Sequence, residues 1–143
     1  MSGAVIRLLQ GLLLLPTSAL FIGLLTYRLQ QGGLGLAWPL PTEPDAHVAT
    51  ELALACLPAF VLFLFGTSAG VLRKGAILPL FCLCVAVAAY CAVNLLASAY
   101  GNTWTAGEIF RELYLGQLTL LGLAALPALL LMGLLEHHNR LCQ

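Results

Sequence analysis

The sequence predicts an all-α membrane protein: an antiparallel bundle of four transmembrane helices with both termini on the cytoplasmic side. Three observations lead there. Six Lys or Arg and six Asp or Glu are the only charged residues among 143. They bound four charge-free stretches, 8–27, 52–72, 75–107 and 113–135, each long enough to cross a hydrocarbon core of about 30 Å as a helix. Hydrophobic residues make up 61% of the chain and charged residues 8%, against about a quarter charged in a soluble domain. A soluble chain this apolar would expose larger patches than monomers tolerate. No Lys/Arg-rich face is present, so nucleic acid is excluded as a partner.

The first span is expected at 4–27. Arg7 and the following leucines have the look of a signal sequence, and Thr17-Ser18-Ala19 resembles a cleavage site. The apolar run nevertheless continues to Tyr27, which reads as a retained span. Pro16 at mid-depth removes a backbone donor and predicts a kink. A Gly/Pro-rich linker follows, with Gln30-Gln31-Gly32-Gly33 and Trp38-Pro39-Leu40-Pro41. Its apolar middle, 34–40, is too short to span and is expected along the membrane interface, anchored by Trp38.

The second span is expected at 43–70, with a kink at Pro58. Thr42-Glu43-Pro44-Asp45 has the form of a capping box. Arg73, Lys74 and Gly75 make a turn into the third span, 76–98. A second capping box, Thr105-Ala106-Gly107-Glu108, opens the fourth, 106–136. The second and fourth helices look longer than a membrane requires, and both begin with acidic residues, which complement the helix macrodipole. The whole chain is thus one four-helix membrane domain.

Positive charge sets the orientation. Arg7, Arg73, Lys74 and Arg140 fall on one side, Arg28 and Arg111 on the other. The richer side is expected in the cytoplasm. Tyr27, Trp38, Tyr100, Trp104 and Tyr114 all fall toward the opposite face, as an interfacial belt. Nothing separates a bacterial inner membrane from a eukaryotic plasma membrane or endomembrane.

Each candidate chemistry has a plainer counterpart. Ion-coupled carriers bury an ionisable group near mid-bilayer, and every charge here lies within about two turns of a predicted helix end. Haem would need ligands on facing helices, but His47 is at the outer end of span two and His137 and His138 at the inner end of span four. His47 and Glu51 share a helix face near Asp45, with Glu108 or Glu112 as a third ligand, yet a solvated acidic helix entrance is the commoner arrangement. Cys82 and Cys84 are spaced C-x-C rather than C-x-x-C. Cys56 and Cys91 lie within spans, where a free thiol acts as a small hydrophobe. Cys142, beside Arg140, is a candidate for acylation. No catalytic, cofactor or metal residue is therefore assigned, and no cofactor is expected.

Packing and partner contacts are expected from four residues. Gly66 and Gly70 form a small-xxx-small motif near the inner end of span two. Asn94 and Gln117 are the deepest amides, at matched depth on neighbouring spans, and are expected to pair. Glu51, Glu108, Arg111 and Glu112 are expected to gather as an outer charged cluster, with Arg111 one turn after Glu108. A lipid-handling enzyme would use that cluster as base and headgroup clamp; an ion-pair network fixing two helices is the plainer reading.

The sequence resembles no family specifically enough to name one. It favours a non-enzymatic subunit, acting as scaffold, accessory or assembly factor of a larger membrane complex. Its partners would be membrane lipid and other membrane subunits, or further copies of itself. The alternatives are a small lipid-handling enzyme at the outer cluster, an oligomeric pore or carrier, and an immunity-type protein against a pore-forming toxin.

Overall fold

Pro16 has no amide hydrogen, so the Leu12 carbonyl cannot receive its usual helical bond. The first span breaks just there. Helix α1 covers Gly3–Leu12, and α2 covers Leu14–Gln31. At the junction the Leu13 N–H is shared between the carbonyls of Leu9 and Gln10, both at 3.3 Å. The Thr17 hydroxyl donates to the Leu13 carbonyl at 2.7 Å. The expected kink is a one-residue interruption.

The computed structural model describes residues 3–37, 48–68, 74–99 and 104–141. The remaining helices are α3 (Val48–Ser68), α4 (Ile77–Ala99), a short α5 (Ala106–Glu108) and α6 (Leu118–Leu141). A 3-10 turn, Lys74–Ala76, leads into α4. The described residues contain no strand. Four helical stretches are long and apolar enough to cross a membrane: Gly3–Gln31, Thr50–Ser68, Ile77–Ser98 and Ala106–Leu141. The longest, at 36 residues, is about 54 Å at 1.5 Å per residue, well beyond the hydrocarbon core. The first capping box, Thr42–Asp45, and the anchor Trp38 lie outside the described residues.

The fourth span is not one regular helix. Its start is the expected capping box: Glu108 N–H donates to Thr105 Oγ1, and Thr105 N–H donates to the Glu108 carboxylate. A π-helical segment, Ile109–Tyr114, and a 3-10 turn, Leu115–Gln117, then precede α6. The Leu115 N–H reaches back to Arg111 and Phe110 carbonyls. Pro58 and Pro127 sit inside α3 and α6 without ending them.

The core forms where α2 meets α3, α4 and α6, and where α3 lies along α4. Phe63 of α3 and Phe81 of α4 meet edge to face, with centroids 5.9 Å apart. The buried face of α4 is rich in small residues: Cys84, Ala88, Ala89 and Ala92 are almost fully enclosed. Helices in lipid gain little from hydrophobicity alone and bind through close dispersion contacts, which small residues permit. This small-residue stripe is therefore internal.

The linker after α2 folds back on the helix. Gly32 takes φ 75°, and its N–H donates to the Arg28 carbonyl at 2.9 Å, ending the helix in a left-handed cap. The chain then turns back along α2. The Ala37 N–H reaches the Gly23 carbonyl at 3.2 Å, and the Tyr27 ring covers Gly35 so closely that a Cβ there would lie 2.6 Å from it. Residues 32–37 thus line the helix.

Candidate functional site

Arg7 on α1 and Glu136 on α6 carry charge where both helices face protein. Arg7 Nη1 lies 2.7 Å from Glu136 Oε2 and also donates to Gln10 Oε1 at 2.7 Å. Gln10 Nε2 reaches the same carboxylate oxygen at 3.4 Å. Gln10 is fully enclosed, and the Arg7 and Glu136 side chains are 21% and 16% exposed. Arg7 and Gln10 are one helical turn apart, so one face of α1 presents both to Glu136. A charge removed from water is costly unless paired and hydrogen-bonded, and here each member satisfies the other two. The helices carrying the first and last described residues are thereby tied together at one end of the molecule.

Two grooves flank this polar clamp. One, about 330 Å³, opens between the start of α4 and the end of α6, with Glu136 on its wall. The other, about 580 Å³, lies between α1, the end of α3 and α6, with Arg7 and the nearly buried Asn139 on its wall. The first exists because α4 leans on the π segment and barely touches α6. The pair of spans is closed toward the capping box and parted toward the clamp.

The closed end is aromatic. Tyr90 of α4 packs edge to face on Phe110 and Tyr114, at 6.0 and 5.5 Å. The Tyr114 hydroxyl donates to the Ala86 carbonyl at 3.0 Å. π-Helical turns are uncommon and often accompany functional sites; here the turn seats two rings on α4.

The expected outer cluster is not assembled. Glu51, Glu108, Arg111 and Glu112 are all exposed, and no ion pair joins any two of them. Glu108 is engaged in its capping box instead of pairing with Arg111. The π segment packs on α4, whereas Glu51 stands on α3. Nor do Asn94 and Gln117 pair. Asn94 Nδ2 donates to the Tyr90 carbonyl of its own helix at 2.8 Å, and Gln117 Oε1 is buried without a partner. An amide one turn from a free lone pair bonds locally before it bonds across helices.

Gly66 is half-buried, while Gly70 lies outside the described residues. Among the described residues no three His, Cys, Asp or Glu gather as a metal site; His47 and Asp45 fall outside them. Cys56, Cys82, Cys84 and Cys91 are free thiols, Cys56 and Cys84 buried, and Cys142 is outside the described residues. Sequence reading missed the Arg7–Gln10–Glu136 clamp. Its available signal was a polar residue one turn from a charge inside an apolar span, with opposite charge at the matching end of the last span. Comparison with family models, characterised proteins and solved structures gives no match to this chain.

Proposed function

We propose that the four apolar helices form an antiparallel transmembrane bundle with both termini in the cytoplasm, and that the chain is a non-enzymatic subunit of a larger membrane complex, serving as scaffold, accessory or assembly factor. The supporting observation is the outward face of α3. Only 22% of that span is buried, against 56% for the first span and 50% for the third. Leu54, Leu57, Val61, Leu62 and Phe65 are exposed, and their spacing makes one continuous helical stripe.

Pro58 is exposed in the middle of this stripe. It has no N–H to give the Leu54 carbonyl, which leaves an acceptor on the apolar face. In hydrocarbon an unmet carbonyl costs free energy, and a donor on a neighbouring helix removes that cost. The stripe therefore suits a partner helix carrying a hydroxyl or amide. Half-buried Gly66, near the inner end of α3, permits close approach there.

Photo-cross-linking in native membranes tests the reading. A cross-linker at Val61 should give a discrete protein adduct, and one at Leu83, exposed on α4, should not. Adducts to lipid alone at Val61 would remove the support. An adduct at twice the chain mass would identify the partner as a second copy.

A further inference from the structure

We propose that the cleft between α4 and α6 holds an anionic phospholipid of the leaflet next to the chain termini. This rests on the membrane reading and on no protein partner. The cleft is apolar inside and cationic at its mouth. Ile77 and Leu78 form one wall, and Met132 and Gly133 the other. A Cβ on Gly133 would meet nothing within 4 Å, so the glycine leaves room along the wall rather than fitting a close helix contact. The walls part because the π segment takes up the α4 contact at the opposite end. A partly open groove with apolar walls of this kind suits an acyl chain entering from the bilayer.

His137 and Arg140 line the mouth together with Glu136. The carboxylate faces the same opening and would repel a phosphate if unpaired. It is already held by Arg7 and Gln10 and lies in the field of Arg140 as well, so two arginines face one acid and the mouth keeps a net positive charge. Gly75, in the 3-10 turn that leads into α4, and Ile77, the first residue of α4, line the facing wall, which adds the positive end of a helix dipole. Basic residues beside apolar helix walls are the combination that retains anionic lipid. The clamp then has a second consequence: it neutralises the one acid that would spoil the site.

The full-length protein, purified in mild detergent and incubated with phosphatidylglycerol or phosphatidylcholine of identical chains, is read by native mass spectrometry. Wild type should retain one phosphatidylglycerol preferentially. Arg140→Gln should lower that retention about fivefold, the effect of one basic residue at a membrane surface. Gly133→Leu should abolish it by filling the cleft. Gly122→Leu, a second open glycine on α6 outside the cleft, should leave it unchanged. Circular dichroism establishes that each variant is folded, and Arg140→Gln carries the test if Gly133→Leu is not. Equal retention of the two lipids, retention unaffected by Arg140→Gln, or displacement by inorganic phosphate alone would overturn the proposal.

Discussion

Arg7 and Glu136 are 129 positions apart in the chain and 2.7 Å apart in space. With Gln10 between them they join the first helix to the last, and removal of either charge strands the other in a largely enclosed setting. Glu136→Gln is expected to destabilise the protein by about 1–3 kcal/mol, less than for a fully buried pair because each group keeps some exposure. The exchanged pair Arg7→Glu with Glu136→Arg should recover part of that loss. Thermal unfolding of the singles and the double in one detergent measures the coupling. Strictly additive losses would show that the two residues do not interact.

The folded-back linker predicts a second result. A Cβ on Gly23 would lie 3.1 Å from the Ala37 carbonyl and 3.3 Å from a Leu36 methyl. Alanine needs a small local shift; leucine must displace the segment. In a cysteine-free background, Leu36→Cys should react faster with a thiol reagent when Gly23 is replaced by leucine. Unchanged reactivity would mean that residues 32–37 do not lie on α2.

At the other end, Tyr114→Phe should cost about 0.5–1.5 kcal/mol, the net worth of one hydrogen bond to the Ala86 carbonyl. Tyr114→Ala should cost more, since it also removes both ring contacts with Tyr90 and Phe110. Equal losses would assign the effect to the hydroxyl alone.

The proposed orientation rests on the Lys/Arg asymmetry. Single-cysteine variants at position 142 and at Asn102 should differ in intact cells: an impermeant reagent should label Asn102→Cys and spare Cys142. Labelling of Cys142 from outside would reverse the assignment.

What was legible in the sequence was whatever one dimension encodes. The third span, expected at 76–98, coincides with a helix long and apolar enough to cross a membrane, Ile77–Ser98, because turn-forming residues flank it in the sequence, Arg73-Lys74-Gly75 before and Tyr100-Gly101-Asn102 after. The Thr105–Glu108 box formed as read, since capping is local. The π segment was not legible: hydrophobicity reports burial, not the size of each hydrogen-bonded ring, and Ile109–Tyr114 is as helix-like in composition as its neighbours. Depth matching brought Asn94 and Gln117 level but could not weigh the Tyr90 carbonyl already within reach of Asn94. The outer acids were grouped by side, and side does not imply contact, as Glu51 on α3 shows. Arg7 and Glu136 were each placed at a helix end, but their meeting depends on how two whole helices pack.

The subunit assignment stands or falls on what the α3 face touches, so the most direct measurement is the mass and composition of the particle extracted from native membranes in mild detergent. Wild type is predicted to emerge with a second polypeptide, or a second copy, in fixed stoichiometry. A variant carrying Val61→Ala, Phe65→Ala and Gly66→Leu should insert and fold but emerge without it. A wild-type protein that is monomeric and catalyses turnover, or a variant that keeps its full complement of partners, would contradict the account.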